Sequence, residues 1–171
     1  PLTPPGAGAG AGEECVSADL RDFAAVASLM QGMDCVVHLG GVPREGPWEA
    51  ILENNIVGTH NVFEAARQCG VKRVVFASSN HVIGYYRVER KVGIEEPPRP
   101  DSRYGASKVF GEALGRLYAD KHGLSVACLR IGSFRERPRN ARQLATWISP
   151  RDMVQLVRCC IDAPDYRFLV L

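Results

Sequence analysis

No apolar run in this 171-residue chain approaches the roughly 18 residues that a membrane-spanning helix needs. No basic patch followed by an apolar core opens it, so no secretory leader is visible. None of the six cysteines forms a Cys-x-x-Cys, which speaks against a zinc site or a disulfide frame. They are expected to be reduced, mostly buried thiols of a cytoplasmic protein. Surplus charge is missing too. Lys and Arg number 21 against 19 Asp and Glu, a net +2. With both signs mixed along the chain, neither nucleic acid nor a membrane surface is expected as a partner. Gly-x-Gly-x-x-Gly is also absent. The alternating glycines of residues 1–12 stop at Glu13, with no strand before them and no helix after them. Residues 1–13 are therefore expected to be a flexible linker or tail.

What remains is ordinary for a globular domain: 46% apolar and 23% charged residues. The expected domain covers residues 14–171. Apolar periodicity predicts strands over 15–18, 35–39, 73–78, 124–131 and 167–171. The run at 35–39 is continuously apolar, as in a strand buried on both faces. Helices are expected over 22–33, 48–69, Arg103–His122 and 150–161. In Arg103–His122 the apolar residues Ala106, Val109, Phe110, Ala113, Leu114 and Leu117 are expected to face inward. Residues 79–102 and 132–149 are long connections, and the second carries Arg135, Arg137, Arg139 and Arg142. Strands alternating with helices imply an α/β fold, a Rossmann-like doubly wound parallel sheet.

In such sheets ligands lie beyond the carboxyl ends of the strands. Gly40-Gly41, Ser79 and Ile131-Gly132-Ser133 all fall at those ends. Just downstream, Tyr104 and Lys108 stand four apart, a spacing that puts both on one helix face. A phenol titrates near pH 10, and a neighbouring ammonium favours its phenolate. Such a pair can take a proton from an alcohol that a strand-end serine holds. A Tyr with a Lys four residues on arises by chance in about one chain in nine of this composition, so the strand ends around it carry the weight.

HLGG, NNIVGTHNVFEAAR, VVFASSNHVIG, YGASK and LRIGS together resemble the extended short-chain dehydrogenase/reductase family, the NAD-dependent epimerases and dehydratases. Within it, GEECVSADL, FASSNHVIGYY and RIGS followed by ARQLATWIS are similar to NAD-dependent uronate dehydrogenases. The resemblance implies oxidation of the C1 hydroxyl of a hexuronate, glucuronate or galacturonate, to an aldarolactone. It makes Tyr104 the general base, Lys108 the residue that lowers the Tyr104 pKa and bonds the nicotinamide ribose, and Ser79 the residue that fixes the reacting oxygen. Asn80, His81 and Ser133 would bond sugar hydroxyls, and Arg142 would clamp the carboxylate. Asp19 and Leu20 would border the adenine of NAD. Leu39, Gly40, Gly41, Val42 and Ile131 would lie along the cofactor, and Asn55 would steady the region around Lys108. A homo-oligomer is implied, with the two long helices pairing across it. No metal is expected, and NADP is left open.

Several of these residues have plainer readings. Asp19 could cap the following helix, Asn55 could be a satisfied buried amide, and Arg142 could be a solvated surface arginine. The sequence also departs from the family pattern. The opening strand, Gly-rich turn and helix that hold the pyrophosphate are expected to be missing, as is the C-terminal segment that covers the substrate. Pro43 stands where a uronate dehydrogenase usually has a hydroxyl residue. Another sugar epimerase, dehydratase or reductase, or a non-catalytic nucleotide-binding remnant, is therefore the alternative.

Overall fold

The computed structural model describes residues 12–164 and 166–171. The proposed linker over residues 1–13 falls largely outside them. Four parallel strands form the main sheet, in the order β1 (Cys35–His38), β2 (Arg73–Ser79), β3 (Ser125–Ile131) and β6 (Phe168–Val170). Alternation along the strands divides the core in two. Val74, Phe76, Val126 and Cys128 join one cluster with residues of α1 (Phe23–Leu29), α3 (Gly58–Gln68) and α4 (Arg103–His122). Val75, Ala127 and Leu129 join the other, with Met153, Leu156, Val157 and Cys160 of α6 (Pro150–Asp162). Helices thus cover both faces, as a doubly wound sheet requires.

Local chemistry sets the helix ends. Asp22, Ser102 and Ser149 cap α1, α4 and α6 by accepting from the backbone N–H three residues on. Pro150 occupies the first turn of α6, where its missing N–H costs nothing. Gly123 ends α4 with φ 73°, a left-handed conformation suited to glycine. The predicted helix over 48–69 is one continuous helix with a widened middle. It comprises α2 (Trp48–Ile51), a π-helical segment Leu52–Val57 and α3. Such insertions are frequent at functional sites, and this one carries Asn55.

Three expectations are corrected. Residues 15–18 form no strand; they are exposed and pair with no neighbour. β1 is an edge strand, so Cys35, Val36 and Val37 are only half-buried. Of the six cysteines only Cys128 and Cys160 are buried, and Cys15 and Cys159 are exposed.

The connection 132–149 is also more ordered than a loop. β4 (Ser133–Phe134) pairs in parallel with β5 (Trp147–Ile148) around the short α5 (Ala141–Ala145). A side chain at Gly132 would collide with the Thr146 carbonyl, so glycine is what lets this segment fold back over the strand ends.

Candidate active site

At the carboxyl ends of β1, β2 and β3 lies a cleft of about 650 Å³. Residues 39–43 after β1 form one wall. Ser79, Asn80 and His81, at the end of β2 and in the short 3-10 turn Asn80–Ile83, form the floor with Tyr104 and Lys108. Ile131, Ser133, Arg135, Arg142, Gln143 and Thr146 form the opposite wall. Every expected site residue lines this cleft except Asp19, Leu20 and the supporting Asn55, which is buried behind it. Asp19 lies in a separate surface depression with Arg21, Asp22, Glu53 and Val57. Its carboxylate is bound by Arg21 at 2.6 Å, a hydrogen bond that draws its pKa down to about 2. The cap of α1 is Asp22. Leu20 sits between the two places: a side chain on Gly40 would meet Leu20 at 2.5 Å, and one on Gly58 would meet it at 2.9 Å.

α4 carries the proton-transfer residues on its buried face. Tyr104, Ser107, Lys108, Glu112, Tyr118 and Ala119 turn inward. Ala106, Ala113 and Leu117, expected inside, are exposed, whereas Leu114 is buried and Val109 and Phe110 are half-buried, as expected. Glycines explain the burial of the polar residues. A Cβ on Gly105 would lie 2.5 Å from the His81 carbonyl oxygen, and one on Gly111 would strike the Phe76 ring. These glycines let a polar helix face settle directly onto β2 and the 3-10 turn, where a bulkier apolar face could not fit.

Each functional side chain has a defined brace. Ser79 Oγ accepts from His81 N at 3.2 Å, and the Ser79 side chain favours the Tyr104 phenolate. Lys108 Nζ donates to the Ala77 carbonyl at 2.8 Å and rests 4.9 Å from the Phe76 ring centroid. Burial lowers the Lys108 pKa to about 8. The expectation that Lys108 depresses Tyr104 is not met by these groups alone. Burial raises the phenol, and the Ser79 side chain offsets this only in part. The ammonium is committed to Ala77 and stays 5.6 Å from the Tyr104 ring centroid.

Asn55 is a satisfied buried amide and a brace at once. Its Oδ1 accepts from Val42 N at 2.7 Å, and its Nδ2 donates to Val42 O at 3.1 Å and to Ser107 Oγ at 3.0 Å. Ser107 Oγ in turn donates to the Tyr104 carbonyl at 2.7 Å. One amide thus ties the wall after β1 to the turn of α4 that bears Tyr104. Gly41, at φ 130°, lies so close that a side chain would approach Asn55 Oδ1 to 2.8 Å.

Sequence reasoning missed three supports. Glu45 accepts from Tyr104 N at 3.0 Å. Asp101 binds His81. Glu112 accepts from Ser78 Oγ at 2.6 Å and from both ends of the Arg130 guanidinium at 3.0 and 2.8 Å. Glu112 was findable, since it continues the Tyr104–Lys108 face by one more turn. On the far wall, Ser133 Oγ lies 3.0 Å from Thr146 Oγ1. The Arg142 side chain lines the cleft, and its guanidinium has no bond among the described residues. No metal-binding cluster occurs among the described residues, and no helix is long and apolar enough to cross a membrane.

A sequence model of the NAD dependent epimerase/dehydratase family matches residues 3–150. The chain is 50% identical over 151 residues to a uronate dehydrogenase of Agrobacterium fabrum, covering 88% of this chain and 57% of that enzyme. It is 41% identical over 174 residues to an NAD-dependent glucose-6-phosphate dehydrogenase of Haloferax volcanii, covering 92% of this chain and 66% of that one. Among solved structures it resembles a mutant uronate dehydrogenase from Agrobacterium tumefaciens complexed with NAD. The TM-score is 0.93 at 48% identity, over 100% of this chain and 63% of that chain. In each case the chain spans less than two thirds of the relative's own length.

Proposed function

The chain belongs to the NAD dependent epimerase/dehydratase family, and from that premise we propose that the protein is an NAD-dependent oxidoreductase converting the C1 hydroxyl of a hexuronate to an aldarolactone. The observation that carries this is one cleft holding Ser79, Tyr104 and Lys108 together with the Arg142 side chain, whose guanidinium bonds none of the described residues. A proton acceptor and an anion clamp in one space suit a sugar acid. Named relatives that are uronate dehydrogenases support the choice of substrate.

The residues present fit the nicotinamide half of a dinucleotide. Leu39 is 69% exposed at the strand end and offers an apolar wall. Gly41 leaves backbone accessible beside it, and Lys108 has spent one of its three ammonium protons on Ala77. Leu39, Gly40, Gly41, Val42, Lys108 and Ile131 would hold that half, with Asp19 and Leu20 toward the adenine. NAD, when bound, supplies the hydride acceptor and a positive charge.

Ser79 Oγ holds the C1 oxygen in line with the phenol. Tyr104 takes the hydroxyl proton as phenolate. Lys108, 5.6 Å from the phenol ring centroid, is placed to bond the nicotinamide ribose. Asn80, His81 and Ser133 bond sugar hydroxyls, and Arg142 engages the carboxylate in a two-pronged contact suited to two planar groups. Two copies of the chain would meet over the outer faces of the long helix 48–69 and of α4, where Val57 and Leu117 are exposed. Six unpaired thiols suit a reducing, cytoplasmic setting.

Incubation of the purified protein with NAD and glucuronate or galacturonate tests this directly, and NADH should form with the free acids. Pro43 favours a second substrate class. It lines the cleft and has no N–H to donate, and a relative acts on glucose-6-phosphate. NADH formation with a neutral or phosphorylated aldose, and none with a uronate, would select that class.

A further inference from the structure

Asp101 has no part in the chemistry above, yet the site is built around its carboxylate. It accepts from His81 Nδ1 at 2.8 and 3.0 Å and from Ser102 Oγ at 3.0 Å. The same Ser102 Oγ caps α4 by accepting from Gly105 N at 2.9 Å. A Cβ on Gly84 would collide with the Asp101 carboxylate, so position 84 has room only for hydrogen. The 3-10 turn, the start of α4 and the His81 ring therefore fix one carboxylate from three sides. Burial raises the Asp101 pKa, but the hydrogen bonds from His81 and Ser102 outweigh it and leave the group below its usual value, hence ionised.

An ionised carboxylate has no proton to give, so His81 Nδ1 must be the donor. In neutral imidazole the other nitrogen, Nε2, is then an acceptor. The His81 ring stands edge-on to Tyr104 with centroids 5.6 Å apart, its side chain is 42% exposed, and it lines the cleft. We propose that Asp101 is a positioning residue that sets the His81 tautomer, making Nε2 a dedicated acceptor for a ligand hydroxyl beside Tyr104.

This rests on the sugar-acid substrate and sharpens it. Arg142 can only donate, whereas Nε2 of a neutral His81 ring protonated at Nδ1 can only accept. A ligand satisfying both must present an anionic acceptor at one end and a hydroxyl proton at the other. A polyhydroxy acid does so in one orientation, with its carboxylate at Arg142 and a hydroxyl at His81. A carbonyl oxygen placed at His81 has no proton to offer and is disfavoured.

Nitrogen NMR of the histidine-labelled protein reads the tautomer without turnover. The wild type should show His81 protonated at Nδ1 and bare at Nε2. In Asp101→Asn the amide can donate to Nδ1, so the proton should move to Nε2. The KM for a hexuronate should then rise about tenfold, the loss of one hydrogen bond, while the KM for NAD stays within about twofold. Asp101→Glu, which keeps the acceptor, should restore the wild-type tautomer at least in part. A wild-type ring protonated at Nε2, or an unchanged tautomer in Asp101→Asn, overturns the proposal. A merely structural Asp101 would lower thermal stability with the tautomer unmoved. If the wild type forms no NADH from any hexuronate, the proposed reaction fails, and the NMR result still decides the role of Asp101.

Discussion

His38 is a buried imidazole at the end of β1, with Nε2 3.1 Å from Thr59 Oγ1 and its ring 5.6 Å from that of Phe76. Burial, and then the charge of Lys108, hold its pKa down to about 4 from 6.5. The folded protein therefore prefers the neutral ring, and the unfolded chain binds the extra proton between those values. Stability is complete above about pH 6.5 and falls as the pH drops toward 4, by on the order of 3 kcal/mol for this group. Urea unfolding at pH 7 and 4.5 should show a smaller acid loss in His38→Asn than in the wild type; equal losses would contradict this. Tyr104 titrates in the opposite functional direction. Burial raises its phenol, so the base form grows as pH rises, and kcat/KM should climb through the alkaline range. Tyr104→Phe should lose about 10²–10⁴ in kcat and show no such climb, with its circular dichroism unchanged.

Helix α4 shows where sequence patterning succeeds and where it misleads. Its existence and ends were legible, because Ser102 and Gly123 are strong end signals. Its buried face was not, because apolar periodicity assumes that the hydrophobic side turns inward. Here Gly105 and Gly111 bring the first half of the helix so close to the 3-10 turn and β2 that Tyr104, Ser107 and Lys108 are buried there, while Leu114, Tyr118 and Ala119 further along enter the apolar core. The buried cost of that arrangement is met by pairing: Arg130 and Glu112, 11% and 8% exposed, bond at 2.8 Å with Ser78 also engaged. Glu112→Gln would leave Arg130 buried and unmatched, and chemical denaturation should show a loss of about 3–5 kcal/mol. A loss below about 1 kcal/mol would mean that the pair is solvated in solution. The strand predicted over 15–18 failed for a different reason. A short β-prone run becomes a strand only where a neighbour pairs with it, and among the described residues none does.

At the scale of the molecule, the parallel sheet was legible from the alternation of buried strands with helices, and the cleft from glycines and serines placed at strand ends. Contacts made across distant segments were not. Asp101 to His81, Asn55 to Val42 and Glu45 to Tyr104 join residues that no local spacing connects. The outer faces of the long helix 48–69 and of α4, with exposed Val57 and Leu117, belong to the same scale. Sedimentation should find a dimer, and Leu117→Asp should yield a monomer of unchanged helicity; a wild-type monomer would refute the pairing. The most direct measurement for the whole account uses glucuronate deuterated at C1 with NAD. The reduced cofactor should carry that deuterium at its nicotinamide ring, at a rate that Tyr104→Phe lowers by at least about a hundredfold. Reduced cofactor without the label, no reduction at all, or full activity in Tyr104→Phe would contradict it.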